Sequence, residues 1–510
     1  MAPRFVLAHD LGTTGDKASL YDAEGQLVGS SLVGYATEYA RPLWAEQDPE
    51  AWWQAVCGAT RALLAQTRVS PSEIACVAFS GQMMGCVAID AKARPLRNAL
   101  IWADQRAGEQ QRRLEGRIDP ETAYRITGHR LSSSYSLAKI LWLRDHEPNV
   151  FRDARAFVNA KDAIVARLTG AFVTDYSDAS GTNLMELEAR AYSDAMLDAA
   201  ELDPAKLPQL RASTDVVGEI GASVAEEVGL PAGVPVVIGG GDGCCAALGA
   251  GVWREGAAYN YVGSSSWIAL ASERPVYDPE QRTFSWAHVV PDLFSPCGTM
   301  QAAGASYAWT RDVLGVREAE LSARDGRSVY EHLNELAAAA PAGSRDLLYL
   351  PYLLGERSPR WNPNARGAFV GLTVRHGRAE LVRSVLEGVT MNLRVILQAL
   401  TKQGIAVQTV RVIGGGAAGR FWNQLMADIY GLPIERMTHL EEATSMGAAV
   451  AGGVGVGLYD DFSIIDSMNP VAATVMPDED AARAYEPLFS IFDEAYAALV
   501  PVFDRLADVR

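Results

Sequence analysis

Short apolar runs broken by glycine-bearing turns recur along the chain in a fixed order. Three of them, 5–9, 17–21 and 27–33, are separated by Leu-Gly-Thr-Thr-Gly-Asp and Asp-Ala-Glu-Gly-Gln, which predicts three consecutive strands. Asp48-Pro49-Glu50 then reads as a helix start, with Asp as N-cap and Pro in the first turn. Trp52, Val56, Ala59 and Leu63 follow at helical spacing. A strand over 74–79 runs into Ser80-Gly-Gln82-Met83-Met84-Gly85 and a further strand over 86–89, placing that loop at a sheet edge. Helices are predicted over 223–228, 244–248, 380–403 and 421–430. In the third, Val382, Val385, Leu386, Val389, Leu393, Ile396 and Leu400 share one face and Gly404 ends the run.

Two of these patterns occur twice. Val-Val-Ile-Gly-Gly-Gly at 236–241 is echoed by Arg-Val-Ile-Gly-Gly-Gly at 411–416, each an apolar strand, a glycine run and a helical pattern. The strand–turn–strand around Asp10-Leu-Gly-Thr-Thr-Gly15 is echoed by Val262-Gly-Ser-Ser-Ser266. Two elements repeated in one order predict a duplicated α/β fold. The division falls at about residue 250, giving halves 1–250 and 251–510 with a nucleotide in the cleft between them.

Composition narrows the class. A chain of 510 residues is long for one core and suits two domains of roughly 250. Hydrophobic residues at 49% and charged ones at 21% are ordinary for a soluble globular protein, and a net charge of −17 argues against a nucleic-acid partner. The longest apolar stretch, 447–459, is far short of the ~20 residues a membrane span needs. No basic-then-apolar leader pattern precedes the first strand, and the six cysteines have no metal-ligand spacing, so a reduced, cytoplasmic protein without a membrane partner is expected. Cys244-Cys245 reads as small residues packed at a helix start.

Several residues are candidates for chemistry. Gly12 and Gly15 permit a turn whose N–H groups converge on an anion, with Thr13 and Thr14 adding hydroxyls. The lysine and spacing of a Walker A loop are absent. Asp10, at the end of a buried strand, suits Mg²⁺ held through water, although such a turn is also an ordinary hairpin. Gly415, Gly416 and Ala417 suit a flat ring approaching backbone, or else simply tight strand-to-helix packing. Asp242 stands where a carboxylate would accept the proton of an attacking hydroxyl, and where an N-cap would also stand. Trp102 and Asp104 read either as a sugar-binding pair or as a buried Trp beside a capping Asp.

Ser134-Tyr-Ser136-Leu-Ala-Lys139-Ile-Leu-Trp142 and Gly367-Ala-Phe369-Val-Gly371-Leu372, continued by Glu380-Leu381 and Ser384-Val-Leu-Glu387, match two long patterns of the FGGY carbohydrate kinases, which the whole chain resembles. Leu350-Pro-Tyr-Leu-Leu-Gly355-Glu-Arg-Ser-Pro359 and Asn364-Ala-Arg-Gly367 resemble the family's xylulokinase branch. The resemblance implies a duplicated actin/hexokinase-like (ribonuclease H-like) fold with an interdomain cleft. It also implies ATP- and Mg²⁺-dependent phosphorylation of a small sugar or polyol, and a homodimer. Asp242 would be the general base and Asp10 the metal-side carboxylate. Thr13 and Thr14 would meet the γ-phosphate, and Gly263, Ser264 and Ser265 would form the second phosphate loop. Gly304, Gly415, Gly416 and Ala417 would line the nucleotide, and Gln82, Met83, Met84, Trp102, Asp104 and Gly243 the sugar. Met84 and Gly243 stand where xylulokinases usually carry His and Asn; a ketopentose such as D-xylulose is expected first, then ribulose, erythritol or another polyol. The competing class is an actin-like ATP-binding switch, which needs no base or sugar pocket.

Overall fold

The computed structural model describes residues 4–509. Its first sheet contains β1 (Phe5–Leu11), β2 (Gly15–Tyr21), β3 (Leu27–Gly34), β4 (Ile74–Gly81), β5 (Val216–Glu219) and β6 (Pro235–Gly241), in the order β5-β6-β4-β1-β2-β3. The second contains β7 (Ala258–Val262), β8 (Ser266–Leu270), β9 (Phe284–Ala287), β10 (Phe294–Met300), β11 (Val410–Ile413), β12 (Ile434–Met437) and β13 (Val471–Val475), in the order β9-β10-β8-β7-β11-β12-β13. In each, an antiparallel opening hairpin (β1–β2, β7–β8) stands beside a parallel pair (β1–β4, β7–β11) and then a further parallel strand (β6, β12).

This topology corrects the repeat read from sequence. Strand β11 occupies the place of β4, while the place of β6 belongs to β12. The matching Ile-Gly-Gly-Gly segments therefore end non-equivalent strands, and the duplication holds at the level of the sheet. The loop after β4 also leaves an interior strand, since β4 lies between β6 and β1, and 87–89 pairs in a separate two-stranded ladder.

The helices that matter here are α1 (Pro49–Thr67), α2 (Asp242–Gly249), α3 (Gly304–Leu314), α4 (Arg378–Thr401), α5 (Arg420–Tyr430) and α6 (Ala443–Gly455). Asp48 caps α1, accepting from Glu50 N at 2.9 Å, and Trp52, Val56, Ala59 and Leu63 are buried as their spacing predicts. Helix α4 ends at Thr401, two residues before the predicted limit. The 223–228 segment is a single turn, Ala225–Val228.

Helix α6 crosses between the halves. It follows β12 in the chain, yet its small residues lie on the first sheet, packed with Val6, Ala8, Cys76, Ala78 and Val237. A Cβ on Gly452 would stand 2.6 Å from that of Ala78. Helix α6 also crosses α2 at backbone distance: a Cβ on Gly447 would lie 2.0 Å from the Cys245 carbonyl, and one on Gly249 1.7 Å from that of Ala443. Tyr21 Oη and Ser445 Oγ, 2.9 Å apart, and Lys17 Nζ donating to the Glu441 carbonyl at 2.8 Å, close the same seam.

Candidate active site

Asp10, Ser80 and Gly240 stand in lateral register across β1, β4 and β6, so the C-terminal ends of these strands open at one level. Gly239, at φ +68, forms a bulge in β6 with its α-carbon against the Phe79 carbonyl, where a Cβ would lie 1.7 Å from the oxygen. Only glycine fits there. The bulge delivers Asp242 to the first position of α2, and Gly241 takes the N-cap place without a side-chain cap. The capping alternative for Asp242 is therefore not realised. Its Oδ1 accepts from Gly243 N at 2.7 Å, which leaves Oδ2 for another partner.

Burial, and then the charge of Asp10, push the Asp242 carboxyl up to about 7. Asp10 is pushed up to about 6, chiefly by burial, against the opposing pull of Lys17. Its Oδ1 is buried without a hydrogen-bond partner. Two carboxyls with raised values in one cleft mark a site built for chemistry, because a hydrophobic isostere would be cheaper to bury.

The turn expected to meet phosphate in the first lobe, residues 12–15, is held from outside. Tyr35 Oη and Gln82 Nε2 both donate to the Gly12 carbonyl, the latter at 3.3 Å, and Gln47 Nε2 donates to that of Thr13 at 2.6 Å. In a trans peptide the N–H points opposite to its C=O, so tying back these carbonyls turns the Thr13 and Thr14 N–H groups the other way, toward the cleft. Thr14 is exposed there. The second turn is held by the start of α3: Gly304 N donates to the Gly263 carbonyl at 2.9 Å, while Ala303 N and Ala305 N both reach that of Ser264 at 3.0 Å. This leaves the Ser264 side chain exposed and that of Ser265 partly so.

Beside that loop a cavity of about 490 Å³ is bounded by Gly263, Ser264, Gly304, Gly415 and Gly416, as the sequence predicts. Tyr307, Asn334 and Trp422 also line it, and only their aromatic and amide character hinted at this. Gly415 opens onto free space, whereas Gly416 is pressed against Val262, where a Cβ would meet Cγ1 at 2.4 Å. Ala417 corrects the expectation: its side chain is fully buried, and Ala418 and Gly419 line the cavity instead.

On the substrate side the predicted residues divide. Trp102 is partly exposed, and its Nε1 donates to Thr13 Oγ1 at 2.9 Å, joining its own segment to the 12–15 turn. Met84 sits at φ +62, and Met83 packs its sulfur over Gly241 and Gly243. Asp104 does not face the cleft. It is wholly buried, accepting from Ala45 N at 2.7 Å and from Arg106 Nη2 at 2.7 Å, beneath the segment that carries Trp44. The alternative of a buried Trp beside a helix-capping Asp is not realised either, since Trp102 is partly exposed and Asp104 pairs with Arg106 and Ala45 N. Gln82 is also buried, and its amide is committed to Gly12 and Gln47.

Lys139, quoted in the sequence pattern without a role, proves to be a staple. Its Nζ donates to the carbonyls of Met84, Ile101 and Ser134 at 2.8, 2.7 and 2.7 Å, drawing the substrate loop, the Trp102 segment and the start of its own helix together. Burial pulls the ammonium down to about 7. Ser136 Oγ adds a bond to the Gly85 carbonyl at 2.6 Å. All six cysteines are buried free thiols, and those of Cys244 and Cys245 are held well above the usual range by burial.

Glycine-bearing turns in both lobes, and two buried carboxyls held above their usual range, are the kind of parts a two-lobed phosphotransferase uses. The chain belongs to the FGGY family of carbohydrate kinases, whose N-terminal domain matches residues 5–249 and whose C-terminal domain matches residues 258–456. It is 34% identical over 493 residues to xylulose kinase of Escherichia coli K12, covering 97% of this chain and 99% of the relative. It is 30% identical to gluconokinase of Bacillus subtilis, covering 99% and 98%. Solved structures of a ligand-bound xylulose kinase and of a gluconate kinase, both from Lactobacillus acidophilus, superpose with TM-score 0.91 at 28% identity, covering 98% of this chain and 99% of theirs. The protein is a carbohydrate kinase.

Proposed function

We propose that the protein transfers the γ-phosphoryl group of ATP to a hydroxyl of a ketopentose, D-xylulose before others, giving D-xylulose 5-phosphate. The observation that carries this reading is Asp242: a carboxylate free of capping duty, at the mouth of β6, with one oxygen fixed by Gly243 N and the other unengaged. The sugar hydroxyl gives its proton to Oδ2 as its oxygen bonds to γ-phosphorus and the bond to the ADP oxygen breaks. The N–H groups and hydroxyls of Thr13 and Thr14 from one lobe, and Ser264 and Ser265 from the other, bind the phosphates. The nucleoside occupies the cavity between Gly304, Gly415 and Trp422. Asp10, with its partnerless buried oxygen, fits a water-mediated Mg²⁺ ligand, since Mg²⁺ commonly takes only one or two carboxylates beside substrate phosphates. When bound, the cation offsets phosphate charge.

Trp102 and Met84 border the sugar, and Met84 and Gly243 offer fewer polar partners than His and Asn would. That selects by which substrate hydroxyls are left unpaired. The test is ADP release, in step with sugar phosphate formed, across xylulose, ribulose, erythritol, other polyols and gluconate, with Asp242→Ala as control. Preference for xylulose, abolished by the substitution, is the expected outcome. Preference for gluconate would reassign the substrate, and full turnover by Asp242→Ala would remove the base assignment.

A further inference from the structure

A chain of aromatic side chains joins the second phosphate loop to the helix that bears Asp242. Tyr259 and Tyr261 project from β7, and Trp267 faces Tyr261 directly across the ladder on β8. The Tyr261 and Trp267 rings stack with centroids 4.0 Å apart and planes 14° from parallel. Trp267 Nε1 donates to Tyr259 Oη at 2.7 Å, and Tyr259 Oη donates to the Gly243 carbonyl at 2.9 Å. The polarity is fixed: an indole N–H only donates, so the single phenolic proton is left for Gly243.

At its other end the relay touches the nucleotide side. A Cβ on Gly263 would lie 2.5 Å from Tyr261 Cε1, and one on Gly414 3.1 Å from Tyr261 Cε2, so the ring is wedged between the phosphate loop and the glycine turn after β11. Tyr259 is wholly buried. The connection thus runs from Gly263 and Gly414 through Tyr261, Trp267 and Tyr259 to Gly243, whose own N–H holds Asp242 Oδ1.

We propose that Tyr259, oriented by Trp267, is a positioning residue that keeps the Asp242 carboxylate in register with the second phosphate loop, residues 263–265, of the opposite lobe. The proposal rests on Asp242 being the base. In-line transfer needs the base, the hydroxyl and phosphorus aligned, and misplacement by about 1 Å costs on the order of 100-fold. Both strands of the hairpin belong to the second lobe, so their bond to Gly243 sets the first lobe's base by reference to the loop that holds the phosphate.

The test compares Tyr259→Phe, Trp267→Phe and the double variant for kcat and for KM of both substrates, well below the unfolding midpoint. The expected result is a kcat fall of about 10- to 100-fold in Tyr259→Phe, with both KM values within about twofold of wild type. Trp267→Phe falls in the same direction, and the double variant costs no more than Tyr259→Phe alone, because both members serve one bond. Turnover by Tyr259→Phe within twofold of wild type, a change confined to KM, or losses that multiply in the double variant would overturn the relay. Asp242→Ala, measured alongside, separates the two ideas: if it stays active, the base assignment itself has failed.

Discussion

At the residue scale the site depends on carboxylates held under electrostatic strain. The proposed base role requires Asp242 ionised, so with its pKa near 7 kcat/KM should fall about tenfold for each pH unit below 7, and the pH profile of Asp242→Glu should show a displaced limb. The stability sign is opposite. The folded pKa lies above the unfolded value of about 4, so this group costs nothing below pH 4, and stability is lost as pH rises through 7. Asp242→Asn should therefore unfold later than wild type at pH 8, by up to about 4 kcal/mol, and the gap should narrow toward pH 5 in denaturant titrations. Lys139 is likewise opposed by burial, yet every ammonium proton is matched to a carbonyl. Lys139→Met strands three buried acceptors and should lose about 2–4 kcal/mol by urea unfolding.

Elements place these residues through contacts that only small side chains permit. Gly447→Ala drives a methyl group into the Cys245 carbonyl and must separate α2 from α6. It should destabilise by about 3 kcal/mol or more, read as a lowered midpoint or loss of soluble protein. Gly415→Ala is the informative contrast, since nothing lies within 4 Å of the added carbon and the residue borders the cavity proposed for the nucleoside. It should unfold like wild type while raising KM for ATP several-fold, on the order of 1 kcal/mol of lost binding.

In the whole molecule the two halves do not close independently. The face of the first sheet formed by Val6, Ala8, Cys76, Ala78 and Val237 is covered by α6, which the chain supplies only after residue 442. A fragment of residues 1–250 would expose that apolar face, so it should aggregate or bind a hydrophobic dye. Supplying residues 251–510 in trans should restore solubility.

Local order was legible along the sequence. Apolar runs, turns, the Asp48 cap and the face of α4 follow from neighbours a few positions apart, where propensity and periodicity act. So were Asp10 and Asp242 as candidates, each beside an alternative, a hairpin turn or an N-cap, that local sequence left open. Tertiary structure alone decided three matters. It showed that the two Ile-Gly-Gly-Gly segments are not equivalent, since strand order depends on long-range pairing. It turned Asp104 and Gln82 inward, Asp104 onto Arg106 and the Gln82 Nε2 onto Gly12 and Gln47. And it brought α6 onto the first sheet and Tyr259 onto Gly243, contacts whose partners are far apart in the chain or in different lobes. Side-chain direction and cross-lobe contact are set by packing against residues remote in sequence, which no local pattern encodes.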